Sequence, residues 1–238
     1  MTEQTFSRNK IRTAGSKLRK YGRGEATVEE RDAALDTIQA YRATFALPMG
    51  EVNNILHAIA FVILDDDEIR PVSRLKQITT IEDKVKREAR LDLSTMQDIG
   101  GCRVVVETTE MCYRILDGVL KEWPDGKVYD YIKAPRSSGY RAIHVVVVAG
   151  GCPIEIQIRS TPHHEWAQTV ESISKALEIN YKFDGSHPVQ QMLKYQANIE
   201  EDRRNGREPH AADIETWDTL REEVIALIRE QINALNHG

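Results

Sequence analysis

The sequence predicts an α+β fold, a mixed β-sheet flanked by helices with helical extensions at the N- and C-terminal ends. Three patterns carry that prediction. The first third repeats apolar residues at helical spacing, the middle alternates helical stretches with short β-rich runs, and the chain returns to helical spacing from Pro162.

The N-terminal window comes first. Between Glu3 and Glu25 there is no acidic residue, whereas Arg8, Lys10, Arg12, Lys17, Arg19, Lys20 and Arg23 all fall there. Residues 1–25 read as a basic arm, either solvated and partly disordered or used for contacts to a phosphate backbone. Thr27 and Glu30 then form a capping box, and Ala34, Leu35, Ile38, Tyr41, Arg42 and Phe45 continue an amphipathic helix that stops before Pro48. A second helix runs from Gly50 to Leu64 with Val52, Ile55, Leu56, Ile59 and Ile63 as its apolar stripe. Asp65, Asp66 and Asp67 end it. Consecutive carboxylates point in different directions, so this run reads as solvated rather than as a metal site.

The middle of the chain supplies the sheet. A helix from Thr80 to Ala89, a strand from Cys102 to Thr108, a helix from Glu110 to Glu122 and strands near 127–133, 142–149 and 153–159 follow in order. Gly150-Gly151 signals a hairpin, which makes the last two strands antiparallel neighbours. The run of four valines at 145–148 has no polar face and implies a central strand covered on both sides. IEIQIRS alternates strictly, placing Ile154, Ile156 and Ile158 on one face and Glu155, Gln157 and Arg159 on the other. That pattern suits an ordinary half-wet strand as well as one with a chemical face.

A helix from Pro162 to Leu177 and two more at 188–204 and 213–235 complete the chain, the last pair separated by the breaker stretch Asn205 to Pro209. In the final helix Trp217, Leu220, Val224, Leu227 and Gln231 follow a three-four spacing, widened by Ile214, Ile228, Ile232 and Leu235. Such a stripe either packs back onto the domain or serves as a homo-oligomer or partner face.

At 238 residues the chain suits one catalytic domain of ordinary size with helical extensions. Its net charge of -5 gives no global field that would attract nucleic acid. No apolar run reaches the length of a membrane span and no apolar segment follows the N-terminal charges, so we expect a soluble, cytoplasmic protein without membrane attachment. Cys102, Cys112 and Cys152 are odd in number and lack C-x-x-C spacing, which points to buried free thiols. His163, His164 and Glu165 do not form the H-E-x-x-H pattern of a zinc helix.

The chemistry concentrates at 130–159. Lys133, Arg136, the Ser137-Ser138-Gly139 turn, Tyr140, Arg141 and His144 crowd ahead of the alternating strand, offering cations for phosphates, a π face for a base and a flexible loop to bring them together. Five separated blocks extend this pattern: SRLK at 73–76, IEDKVKR at 81–87, QDIGGCR at 97–103, YDYIKAPRSSGYRAIH at 129–144, and IEIQIRS followed by HEWAQTVE at 164–171. In this order, from Ser73 to Tyr181, they resemble the synthetase domain of the RelA/SpoT family, enzymes that move pyrophosphate from ATP onto a ribose 3′-hydroxyl.

That resemblance implies a division into the basic arm 1–25, a synthetase domain 26–181 and a C-terminal helical extension 182–238. It also implies Mg²⁺ as cofactor, held by Asp98 and Glu155, with Glu155 placed to activate the 3′-hydroxyl. For the ATP donor it implies Arg74 and Arg103 stacking on adenine, with Lys76, Lys84 and Arg87 at the phosphates. For the acceptor it implies Tyr140 stacking on the base with Lys133 and His144 facing it, and the predicted hairpin layout also sets Arg136, Arg141 and Gln157 near Tyr140. The residues alone leave blander readings open. Asp98 suits a turn, Lys84 and Arg87 suit a solvated helix face paired with Glu82, Asp83 and Glu88, and Tyr140 and His144 suit a core.

The preferred acceptor is GDP or GTP, giving a (p)ppGpp-type alarmone. Many nucleotide-using relatives carry a basic residue where Tyr129 stands and Asn where Ala134 stands. That departure keeps open a toxin-like relative that pyrophosphorylates the 3′ CCA end of tRNA, with an antitoxin protein as partner, and the basic window would then contact the acceptor stem. A catalytically dead nucleotide-binding or partner-binding module is the third reading, against which Asp98 and Glu155 count. No His-Asp dipeptide of a hydrolase occurs, so synthesis without degradation is expected.

Overall fold

A computed structural model of the protein describes residues 6–66, 68–176 and 187–236. Asp67, Leu177, Tyr181 and the 181/182 boundary expected from the sequence lie outside the described residues. The chain forms two compact units. The first comprises Met1–Val106, Glu110–Tyr129 and His144–Ile158, and the second Glu107–Thr109, Asp130–Ile143 and Arg159–Gly238.

The first unit is built on a five-stranded sheet. Its strands are β1 (Val72–Leu75), β2 (Gly100–Val106), β3 (Lys127–Asp130), β4 (Ile143–Ala149) and β5 (Cys152–Ser160), in the spatial order β1-β2-β5-β4-β3. β1 runs antiparallel to β2 with Val72 opposite Arg103 and Arg74 opposite Gly101. β4 and β5 are neighbours joined by Gly150-Gly151, both at positive φ (52° and 75°), a turn too short for any but an antiparallel pair. The valine run lies in β4, second from one edge, with Val145, Val146 and Val147 buried and Val148 exposed, so the central position belongs to β5. There the alternation holds, with Ile154, Ile156 and Ile158 fully buried. β1 has no apolar alternation because it is a short edge strand that buries none of its own residues, and the sequence reading missed it for that reason.

Helices α1 (Arg8–Gly22), α2 (Val28–Ala43), α3 (Ala46–Leu64), α4 (Ile78–Arg87) and α5 (Thr109–Glu122) accompany the sheet, with a 3₁₀ turn at Leu93–Thr95. The capping box at α2 is present, Thr27 accepting from the Glu30 amide and Glu30 from the Thr27 amide. α3 begins four residues earlier than expected because Pro48 sits in its first turn, where a missing amide hydrogen costs nothing. Within Val28–Leu64 one 18-residue window is apolar and long enough to pass for a membrane span, contrary to the sequence reading. Val52, Leu56 and Ala60 of α3 are nevertheless buried in the unit's own core, and the helix packs on β1 and β2. Gly118 of α5 permits a close crossing, since a Cβ there would fall 2.6 Å from Ile59 and clash with Ile63 as well.

Residues 8–22 are a packed helix where the sequence suggested an arm. Ile11, Ala14 and Leu18 recur at helical spacing and are buried against α2, α4 and the 3₁₀ turn, with Gly15 fitting under the Leu93 side chain. The window lacks acids of its own because its counter-charges come from elsewhere. Arg12 pairs with Asp92 at 2.9 Å, Lys17 with Glu30 at 3.8 Å and Arg23 with Glu25 at 3.0 Å, while Arg19 donates to the Leu91 carbonyl at 2.7 Å.

The second unit holds the loop 130–143 and helices α6 (Thr161–Ala176), α7 (Pro188–Arg204) and α8 (Ala211–Asn236). Its core gathers Trp166, Val170, Val189, Met192, Leu193, Ala197 and Val224, with Trp217, Leu220 and Ile228 of α8 packed against them. Much of the stripe offered as a partner face is therefore used within the unit. The side chains of Gln231, Ile232 and Leu235 lie outside the described residues.

Candidate active site

In the first unit two carboxylates stand among cations and polar groups. Asp98 precedes β2 and is held in place by its buried neighbours Met96 and Ile99, and the Ile99 carbonyl accepts from the Lys76 amide at 2.8 Å. Two ammonium groups converge on Asp98: Lys76 at 3.1 Å from Oδ2, and Lys84 at 3.2 and 3.0 Å from Oδ1 and Oδ2. Burial pushes the Asp98 carboxyl up, but the two lysines outweigh it and hold it below the usual aspartate range.

Glu155 projects from β5 on the face opposite the buried isoleucines. Its Oε1 lies 3.0 Å from His144 Nδ1 on the adjacent β4, and its Oε2 accepts from Gln157 Nε2 at 2.7 Å. Against an ionised carboxylate the imidazole Nδ1 is the donor. Burial raises the Glu155 carboxyl, the hydrogen bond and electrostatic attraction of His144 with the hydrogen bond from Gln157 outweigh it and leave it lowered, and the charge of Asp98 acts in the raising direction. The two carboxylates thus stand within each other's field. Gly101 of β2 lies close to the backbone of β5, where an added Cβ would sit 3.2 Å from the Glu155 carbonyl oxygen.

The remaining donor residues divide. Arg74 lies exposed on the edge strand β1 opposite Gly101, and Arg103 lies on β2. Arg87 shares α4 with Lys84 but is exposed and pairs with its neighbour Glu88 at 3.3 Å. Glu82, considered as a partner for Lys84, instead binds Arg31 at 2.9 Å and Lys86 at 2.8 Å.

The acceptor residues divide as well. His144 and Gln157 hydrogen-bond Glu155 in the first unit, whereas Lys133, Arg136, Tyr140 and Arg141 belong to the loop of the second. In that loop the Gly139 amide donates to the Arg136 carbonyl at 2.8 Å and the Arg136 amide to the Tyr140 carbonyl at 3.2 Å, a tight turn that requires the positive φ of Gly139. The half-buried Tyr140 ring has the Arg136 guanidinium 5.7 Å and the Arg159 guanidinium 5.4 Å from its centre, and Arg159 donates to its hydroxyl at 3.1 Å. Arg136 also caps Tyr131 at 4.4 Å. Lys133 is largely exposed beside Asp130.

Arg141 departs from its expected place at the acceptor. It is buried and turned into α7, donating to the carbonyls of Gly139 (3.1 Å) and Ala197 (3.5 Å) and to Asn198 Oδ1 (3.1 Å). The physical reason is its neighbour Gly139, which lets the loop lie against the helix. Arg159, Tyr131 and Trp166 belong to the same aromatic and cationic surround and were not singled out as site residues from the sequence. Arg159 was legible as the third polar position of the alternating strand. His163 lies 2.9 Å from Ser160 Oγ and 3.2 Å from Glu201 Oε2.

A mixed sheet flanked by helices, with Asp98 and its two lysines ahead of one inner strand and Glu155 on the central one, defines an α+β domain. Residues 73–185 match the family described as "Region found in RelA / SpoT proteins", and the chain carries that region. It is 39% identical over 98 residues to "Probable GTP diphosphokinase RSH3, chloroplastic" of Oryza sativa subsp. japonica, a match covering 40% of this chain and 14% of the relative. In fold it is similar to small alarmone synthetase 2 from Bacillus subtilis (TM-score 0.55, 22% identity, 77% of this chain and 98% of that one). It is also similar to small alarmone synthetase 1 from the same organism bound to pppGpp (TM-score 0.52, 24% identity, 69% and 96%).

Proposed function

We propose that this protein is an ATP-dependent pyrophosphokinase that transfers the β,γ-pyrophosphate of ATP to the ribose 3′-hydroxyl of GDP or GTP. The observation that carries the reading is the cluster of Asp98, Lys76 and Lys84 beside Glu155. In the transfer the 3′-oxygen bonds to the β-phosphorus, the bond from that phosphorus to the α-bridging oxygen breaks, and AMP leaves. Lys76 and Lys84, now paired with Asp98, are the cations that take the donor's phosphates. Glu155, held ionised by His144 and Gln157, orients the 3′-hydroxyl and accepts its proton as charge develops.

The carboxylate pair also fits Mg²⁺, which favours one or two hard carboxylate oxygens with phosphate and water completing its shell. Asp98 and Glu155 would hold it, and when bound it would neutralise the bridging phosphates. The name of the rice relative supports a guanine nucleotide as acceptor. The tRNA reading draws on the departures at Tyr129 and Ala134 and on the basic window, and four cations of that window face protein partners. Ionised Asp98 and Glu155 in mutual range weigh against an inert binding module.

Incubation with labelled ATP and Mg²⁺, with GDP, GTP, ATP and deacylated tRNA offered side by side, tests the proposal. Label is expected in GDP or GTP together with release of AMP. Label in tRNA alone would overturn the acceptor, and no transfer to any of the four would overturn the activity.

A further inference from the structure

We infer that Glu201 on α7, acting through Arg141 and His163, positions the acceptor-binding loop around Tyr140; the inference rests on the acceptor reading of Tyr140 given above. Both neighbours of Tyr140 are fixed to this helix. A Cβ on Gly139 would lie 3.0 Å from Ala197 Cβ and 3.2 Å from Lys194 Cα, so the loop rests directly on α7 with no space for a side chain. On the other side, the buried Arg141 ties the loop carbonyl of Gly139 to the Ala197 carbonyl and to Asn198. A buried guanidinium needs a counter-charge, and Glu201 Oε2 lies 4.0 Å from its Nε.

A second route from the same carboxylate reaches the tyrosine hydroxyl. Glu201 Oε2 meets His163 Nε2 at 3.2 Å, His163 Nδ1 meets Ser160 Oγ at 2.9 Å, and the residue before Ser160 is Arg159, which donates to Tyr140 OH at 3.1 Å. Trp166 adds a third connection. Its ring centre is 6.4 Å from that of Tyr140 and its Nε1 donates to the Leu193 carbonyl of α7 at 2.9 Å. Arg204 at 3.3 Å and Asn205 at 3.1 Å hold Glu201 in turn. Glu201 is therefore a positioning residue, reaching Tyr140 only through other side chains. Its loss leaves Arg141 buried without its carboxylate, loosens the turn and lowers the fraction of molecules whose Tyr140 ring is set to bind, which weakens apparent acceptor affinity in proportion. Lys76, Lys84 and Asp98 belong to the other unit, where both lysines pair with the aspartate.

The test compares wild type, Glu201→Ala and Glu201→Gln, the second keeping the volume and an acceptor oxygen if the first fails to fold. Initial rates are measured with GDP varied at saturating ATP and with ATP varied at saturating GDP, and amide hydrogen exchange is followed over 136–142. Glu201→Ala is expected to raise the GDP KM about tenfold, to leave the ATP KM within about twofold and to speed exchange in the loop, with Glu201→Gln recovering part of each change. Unchanged loop exchange, or an unchanged GDP KM with a lower kcat, would overturn the inference. A wild-type protein inactive with both GDP and GTP would refute the parent reading instead, and the exchange measurement would still decide whether Glu201 holds the loop.

Discussion

The two units stabilise their polar residues in opposite ways. In the first, the charges that matter compensate one another at short range within the site: two lysines on one aspartate, a histidine and a glutamine on one glutamate. In the second, Arg141 of the Tyr140 loop and His163 of α6 both meet one carboxylate on α7, some sixty positions beyond Tyr140 along the chain. The first arrangement concentrates its charges on two carboxylates. The second spreads its contacts across several side chains around one carboxylate.

The largest effect should follow from breaking the first arrangement. Asp98→Asn and Glu155→Gln each keep volume and remove the charge on which the cluster is organised, so each should lower transfer by at least about a hundredfold, with circular dichroism unchanged. Near-normal activity in either variant would remove that residue from the reacting centre. A smaller and sharper contrast lies along α4. Lys84→Ala should raise the ATP KM about tenfold because it removes an ammonium directed at Asp98, while Arg87→Ala, losing a contact to exposed Glu88, should change it by less than about threefold. Equal effects at the two positions would mean that both cations face the donor.

This difference also accounts for what the sequence could reveal. Asp98 and Glu155 were legible because a carboxylate on the polar face of an alternating strand, or just ahead of a glycine pair, is marked by its immediate neighbours. Lys84 was legible as a cation, but its choice of Asp98 over Glu82 depends on Arg31 and Lys86 having taken Glu82. No local pattern contains that competition. The contacts of Arg141 were hidden for a related reason, since they depend on the distant Ala197 and Asn198. The packed α1 hid behind its charges. Its apolar spacing of Ile11, Ala14 and Leu18 was available in the sequence, but the absence of acids drew attention to the solvated face. Of the sheet, only the edge strand β1 left no periodic signal.

The smallest effect concerns acid stability of the second unit. Glu201 faces His163, Arg204, Arg141 and Asn205, and the His163 hydrogen bond above all, with further help from Asn205 and Arg204, holds its carboxyl well below the ordinary value of 4.5, at about 2. A carboxyl whose folded value is depressed binds protons more readily in the unfolded chain. It therefore contributes stability that is fully present above about 4.5 and lost as pH falls toward about 2. Glu201→Gln should accordingly be less stable than wild type by about 1–3 kcal/mol at pH 7 in urea unfolding, a difference that shrinks as pH is lowered from 5 to 3. Asp98 and Glu155 are depressed in the same direction and remain in both proteins, so their acid losses cancel in the comparison. A stability difference that stays constant across that range would show that Glu201 supports α7 by packing alone, and the charge-based link from the helix to the loop would have to be given up.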